Sequence, residues 1–264
     1  MSDNDQGQVH YHSEDGVAWL TFDRTASRNA MTWQMYDQLE AHCETIENDP
    51  ELVAVVMRGA GGEAFVAGTD IKQFAAFDKG EDAIAYERRI DRVVGRVETL
   101  PLPTLALLEG FCVGGGAAIA LACDFRLATP SLKFGIPIAR TLGNCLSITN
   151  VSRLVEHAGI ARAKQVLMAG ELVRAEEALA LGLVGEIVDA EAIEATVVER
   201  AQAFKERAPL TVRAAKEVIQ RVIEQRRPAF DASDDWIATC YTSRDFKAAV
   251  DKFVNKTPFR WQGQ

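Results

Sequence analysis

Pairs of short apolar runs, each pair followed by one helical segment, constrain this chain more than any other feature. "LVAVVMRG" is followed by "AFVAG" and then by a polar helical stretch from about Glu81 to Leu100, which Pro101 and Pro103 close. "DFRLAT" and "SLKFGIP" form another pair, and between the two pairs "TLALLEG" leads into the small-residue helix "GGGAAIALAC". Each helix must cover the apolar face its strands leave open, so the pattern predicts an α/β fold in which a ββα unit recurs. Ahead of it, "VAWLTF" (Val17 to Phe22) reads as a strand, and a helix runs from an N-cap at Thr32 to about Asn48. Beyond Leu146 the pattern is helical except for a short strand within "GLVGEIVD". From about Arg207 three helices follow without strands between them. The expected organisation is a core over 1–206 that carries the site and a helical segment over 207–264 that closes the domain or reaches a neighbouring subunit.

The charge balance narrows the partners. With 29 basic against 38 acidic residues, the net charge of −9 repels nucleic acid and anionic membranes, and neither is expected as a partner. The start "MSDNDQGQ" lacks the basic and apolar parts of a secretory leader, so a cytoplasmic location is expected. The most apolar run, "FCVGGGAAIALAC", is too short and too rich in glycine to span a bilayer. The five cysteines are odd in number and contain no C-x-x-C pair, which argues against a disulfide framework or a zinc site. No metal is expected.

Two glycine breaks interrupt the strands. Gly59 to Ala64 fits G-x-G-x-x-A, but a dinucleotide fingerprint must open a helix, and "AFVAG" is β-branched, apolar and ended by glycine. A hairpin turn at Gly61-Gly62 accounts for those glycines. The strand then ends at Ala67-Gly68 and releases Thr69 and Asp70 before the turn "IKQF". The second break, "LLEGFCVGGGAAIALACD", opens a helix within Gly114-Gly115-Gly116, whose first amides have no carbonyl partner and sit at the positive end of the helix dipole. The glycines either admit a ligand to the backbone or only permit close helix packing. If the amides of Thr69 and Gly115 converge, they form a two-donor oxyanion hole that polarises an acyl carbonyl.

"FVAGTDIKQF" resembles the F-x-A-G-x-D-[IL] segment of the crotonase family of enoyl-CoA hydratases and isomerases. "LLEGFCVGGGAAIALACDFRLAT" resembles that family's G-x-x-x-G-G-G segment, helix and following C-D-F-R strand. "GVAWLTFDRTASRNAMT" is similar to its first strand and R-N-A-[LM] loop, "LVRAEEALALGLVGEIV" to its A-x-E-A-x-x-x-G-L-V segment, and the tail "DFKAAVDKFVNKTPFRWQG" to its last helix and K-x-P-x-F ending. The likeness runs over nearly the whole chain in the same order. It implies a superhelix of ββα turns, a helical C-terminal part that packs into trimers or paired trimers, and an acyl-CoA thioester as ligand in fatty acid metabolism. No cofactor beyond the CoA moiety of the substrate is implied. The family's oxyanion donors fall on the amides of Thr69 and Gly115, and Ala67, Gly68, Asp70 and Ile71 fall along the CoA arm. Lys256 and Phe259 either reach CoA, in a neighbouring subunit, or form a solvated basic end.

The chain departs from that pattern where hydratases hold their two acids. The resemblance puts those positions at Ala118 and Ile138, and "IARTLGNCLSITN" supplies no carboxylate in either register. Its polar groups offer substitutes. Asn144 orients a water or acyl oxygen or caps the next helix, Cys145 is a thiol nucleophile or a small buried residue, and Arg140 pairs with an acyl carboxylate or lies on the surface. Asp70 and Asp124 read as structural, and Asp78, Glu81 and Glu87 as charges on the solvated face of a helix covering the pocket. The expected activity is therefore acyl-CoA chemistry through a thioester enolate. Decarboxylation, hydrolysis or CoA binding without turnover remain as alternatives.

Overall fold

The computed structural model describes residues 6–264. Strand β1 (Gln8–Glu14) pairs antiparallel with β2 (Val17–Asp23), which lies parallel to β3 (Ala54–Gly59). Helix α1 (Trp33–Glu47) makes the crossover, and Thr32 caps it by accepting from the Met35 amide at 3.3 Å. β1 had no sequence signal because most of its side chains face solvent, and an edge strand of this kind carries no apolar alternation.

The recurring pairs build two sheets. β3, β5 (Thr104–Leu108) and β7 (Phe125–Ala128) are parallel neighbours in the first, whose full order is β1-β2-β3-β5-β7-β10 with β10 at Glu186–Ile187. β4 (Ala64–Ala67), β6 (Phe111–Val113) and β8 (Lys133–Gly135) are parallel neighbours in the second, which β9 (Val173–Arg174) completes. Each pair thus sends one strand to each sheet. The turn at Gly61-Gly62 consequently closes no hairpin, contrary to expectation: β4 pairs with β6 rather than β3. The Asn29 amide imposes this corner by donating to the carbonyls of both Ala60 (2.9 Å) and Ala64 (2.8 Å).

Helices α2 (Gly80–Glu98), α3 (Gly115–Ala122) and α5 (Ile148–Met168) pack into the main core, and the short α4 (Ile138–Thr141) precedes α5. After α6 (Ala175–Ala180), α7 (Ile193–Gln202) covers the other face of the first sheet through Ile193, Val197 and Ala201, against Trp19, Val56 and Leu107. Helix α8 (Pro209–Glu224) buries none of its residues and leaves Leu210, Val218, Ile219 and Val222 exposed. Helices α9 (Asp234–Thr242) and α10 (Arg244–Asn255) return to pack Ile237, Tyr241, Phe246 and Val250 on Phe74 and Ala83, and so close over α2 and the 3-10 turn Ile71–Ala76.

One face of α2 carries carboxylates toward α5. Asp91 accepts from Ser147 Oγ (2.7 Å) and Asn150 Nδ2 (3.0 Å). Two turns further on, Glu98 accepts paired bonds from Arg153 (3.2 and 2.8 Å) and from Arg227 (2.8 and 2.7 Å). Burial would raise the Glu98 carboxyl, but the hydrogen bonds from Arg227 and Arg153 override it and bring it down to about 2. Arg153 is fully buried, so it depends on this partner. Glu98→Gln is expected to cost about 3 kcal/mol in urea denaturation, because it leaves a buried guanidinium uncompensated. A loss under about 1 kcal/mol would show that Asp91 and Asn150 suffice to hold it.

Candidate active site

The two glycine breaks meet where the strand ends of the second sheet face α2. A side-chain carbon on Gly114 would lie 3.3 Å from Gly68 Cα, and one on Gly115 would lie 3.4 Å from Thr69 Oγ1 and 2.5 Å from the Tyr36 hydroxyl. Gly114 also has φ +56°, which disfavours a side chain independently of contacts. Gly116 serves packing alone, since a carbon there would strike the Val66 carbonyl oxygen at 2.2 Å. Close packing thus accounts for Gly116, while Gly114 and Gly115 bring the two loops together.

Main-chain pairing orients the donors. The Met31 amide donates to the Gly68 carbonyl (2.8 Å) and the Asp70 amide to the Met31 carbonyl (2.9 Å), which turns the intervening Thr69 amide to the opposite side. The Gly114 amide donates to Gly135 (3.0 Å), whereas Gly115 is the first residue of α3 and has no acceptor inside the helix. Among the described residues, neither the Thr69 nor the Gly115 amide has a hydrogen-bond acceptor. The Thr69 hydroxyl lies 2.8 Å from that of Tyr36 and 3.0 Å from that of Tyr86, which pins the residue. Burial raises both phenols, so they stay neutral.

Both residues line a cavity of about 170 Å³. Ala67, Gly68 and Ile71 line it too, as do Ala118 and Ile138, the positions where acids were expected from the resemblance and found missing. Phe74, Ile90, Ile136 and Leu142 make its wall apolar. Among the described residues that line it, Glu87 is the one carboxylate. Expected as a solvated charge, it is 3% exposed. Its Oε1 accepts from the Tyr241 hydroxyl (2.6 Å) and its Oε2 from the Ser147 amide (3.0 Å). Burial dominates, and with the nearby Asp91 it outweighs the two donors, so the carboxyl is pushed up to about 7. The signal was present in the sequence: Ala83, Glu87, Ile90, Val94 and Val97 form one buried stripe of α2, and a carboxylate there cannot face water.

The remaining expected residues divide. Asn144 lines the cavity and donates to the Tyr241 hydroxyl (3.0 Å), while its buried Oδ1 has no partner among the described residues. Ser147, rather than Asn144, caps α5, accepting from the Asn150 amide at 3.2 Å. Cys145 packs against the aromatic cluster beside the cavity, and a hydrogen bond shared with Cys240, together with burial, raises its thiol far above the usual range. That state opposes a nucleophilic role at neutral pH. Asp70 caps the turn by accepting from the Lys72 amide (3.0 Å) and pairs with Arg24 (2.9 Å). Asp124 is committed to Thr104 and Lys216, and Arg140 is exposed over Gly170. Lys256 and Phe259 lie on the tail after α10 and do not line the cavity; Lys256 donates to the Phe253 carbonyl (3.1 Å), and Phe259 stacks edge-on with Trp261, which packs over Gly143 beside the cavity-lining Leu142 and Asn144. A larger hollow of about 450 Å³ under α8 holds His157, but burial lowers that imidazole to about 4 and Asp124 there is already paired.

A model of the family described as "Enoyl-CoA hydratase/isomerase" matches residues 12–264. A short-chain-enoyl-CoA hydratase of Clostridium acetobutylicum is 31% identical over 94% of this chain and 95% of its own. The crystal structure of an enoyl-CoA hydratase/carnithine racemase from Magnetospirillum magneticum superposes with a TM-score of 0.79 at 30% identity, covering 97% of this chain and 96% of that one. Methylmalonyl-CoA decarboxylase, at 22% identity, shares the fold with a TM-score of 0.87 over 97% of this chain and 98% of its own.

The Glu87 carboxyl makes stability depend on pH. Its value near 7 lies above the 4.5 of an unperturbed glutamate, so between these the folded protein keeps a proton that the unfolded chain has released. Stability is then full below about pH 4.5 and declines as pH rises through 7, by roughly 3 kcal/mol. Glu87→Gln is expected to flatten that decline in urea midpoints measured from pH 5 to 8. Parallel curves for the two proteins would contradict a raised Glu87.

Proposed function

The chain belongs to the enoyl-CoA hydratase/isomerase family and has the crotonase fold, and from that premise we propose that it turns over an acyl-CoA thioester through an enolate held by the amides of Thr69 and Gly115. The observation that carries this reading is the pair of amides without acceptors, from two separate loops, at the wall of one apolar cavity. A thioester oxygen between them gains negative charge as the neighbouring C–H or C–C bond breaks, and donors that are already oriented lower that barrier without reorganising. The cavity is smaller than the roughly 300 Å³ at which drug-sized pockets begin, which favours a short acyl group with the CoA arm outside. Ala67, Gly68 and Ile71 are then the residues beside which the arm leaves. The exposed apolar residues of α8 support assembly with further copies of the chain.

Hydration is the first reaction to test, and loss of the conjugated enoyl absorbance of crotonyl-CoA measures it. For the donors, Thr69→Pro removes one N–H without an acceptor together with the hydroxyl held by Tyr36 and Tyr86, and Thr69→Val, which keeps the N–H and loses only the hydroxyl, is its control. The proline variant is expected to lower turnover on the order of 10²–10³-fold with the circular dichroism spectrum unchanged. A folded variant with wild-type turnover would remove Thr69 from the site. A protein that binds acyl-CoA esters and converts none of a panel read by mass spectrometry would be a binding subunit.

A further inference from the structure

We propose that Glu87 is the catalytic residue that takes and returns the proton on the acyl carbons beside the thioester carbonyl, and that Tyr241 and Asn144 position it from the cavity's far wall. The assignment rests on the thioester reading above and gives it the acid and base that Ala118 and Ile138 cannot provide. Glu87 lines the same small cavity as the two donor amides, so a bound acyl unit faces all three groups. Each of its oxygens already accepts one fixed bond, from Tyr241 and from Ser147, and each keeps a lone pair for a proton. The group can therefore change protonation state without moving. A carboxyl near 7 is present in both forms at neutral pH, where a proton carrier is most effective.

The other carboxylates close to the cavity are engaged elsewhere. Asp70 holds the Lys72 amide and Arg24, and Asp91 holds Ser147 and Asn150. The Asn144–Tyr241–Glu87 chain is also directional. Asn144 Nδ2 donates to the tyrosine oxygen, whose own proton goes to Glu87, so helix α9 favours the ionised, proton-accepting form. The ionisable groups that face Glu87 are Tyr86 and Asp91 on α2, Tyr36 on α1, Cys145 ahead of α5, and Tyr241 on α9.

In the step itself, a C2–H bond of the acyl group breaks and its proton goes to a Glu87 oxygen. The electron pair enters the enolate, whose oxygen lies between the Thr69 and Gly115 amides. From the Glu87 carboxyl, a proton delivered to C4 of a 3-enoyl thioester gives the conjugated 2-enoyl isomer, and one exchanged with solvent and delivered back to C2 marks the substrate, with no oxidant, reductant or water consumed.

The test uses 3-butenoyl-CoA in D2O, read for C2 deuterium by mass spectrometry and for conjugated product by absorbance, with butyryl-CoA binding measured calorimetrically. Wild type is expected to bind, exchange and isomerise. Glu87→Gln is expected to keep butyryl-CoA affinity within about 3-fold and to lose exchange by at least 10²-fold. Tyr241→Phe is expected to remain active with its rate–pH midpoint moved to higher pH, since it removes a donor to the anion. Exchange by Glu87→Gln at the wild-type rate overturns the assignment and leaves the amide reading standing. Binding with neither exchange nor isomerisation by wild type overturns it as well, and no binding by wild type overturns both. Should Glu87→Gln not fold, a Tyr241→Phe midpoint equal to wild type rejects Glu87 by itself.

Discussion

The approach of two backbones at Gly68 and Gly114 is the constraint on which the site depends. A side chain on Gly114 would crowd Gly68 Cα at 3.3 Å, and the positive φ of both glycines, +56° and +91°, disfavours a side chain at either point. The approach is stabilised from both sides. Met31 takes up the main-chain groups that flank Thr69, Gly135 takes up the Gly114 amide, and two buried tyrosines hold the Thr69 hydroxyl. What remains after these bonds are made is a pair of N–H groups without acceptors among the described residues, on two residues that line the cavity. The neighbouring loops are satisfied internally, so the free donors stand out as a feature of the fold rather than as loose ends.

Helix α2 shows how burial treats the same functional group in two ways. Glu98 and Glu87 lie on buried parts of one helix, and burial pushes both carboxyls toward the neutral acid. Two guanidiniums surround Glu98 and keep it ionised, which makes it a structural clamp between α2, α5 and Arg227. Glu87 meets a phenol and a backbone amide instead. Those donors are neutral, so they cannot offset the desolvation, and the carboxyl remains poised between its two states.

Much of the fold was legible along the chain because it depends on neighbours in sequence. The Thr32 and Asp70 caps, the recurring strand pairs and the opening of α3 at the triple glycine all follow from local hydrogen-bonding and steric rules. The two amides without acceptors were legible for the same reason, since a broken strand and a helix start leave N–H groups unpaired wherever they occur. Two features were not. The partner of β4 depends on the Asn29 side chain, which reaches the carbonyls of Ala60 and Ala64 from more than thirty residues away. The burial of Glu87 is marked by the apolar stripe of α2, but what covers it is not, because Tyr241 and Ser147 come from distant parts of the chain.

The sequence alone determined the alternation of strands and helices and the places where the backbone must open, because each is a property of a few consecutive residues. Only the tertiary structure decided which carboxylate enters the cavity. Helix α9 returns from about 150 residues downstream to place Tyr241 on Glu87, and it is the exclusion of water by that contact that turns an ordinary helix glutamate into a group able to exchange a proton near neutral pH.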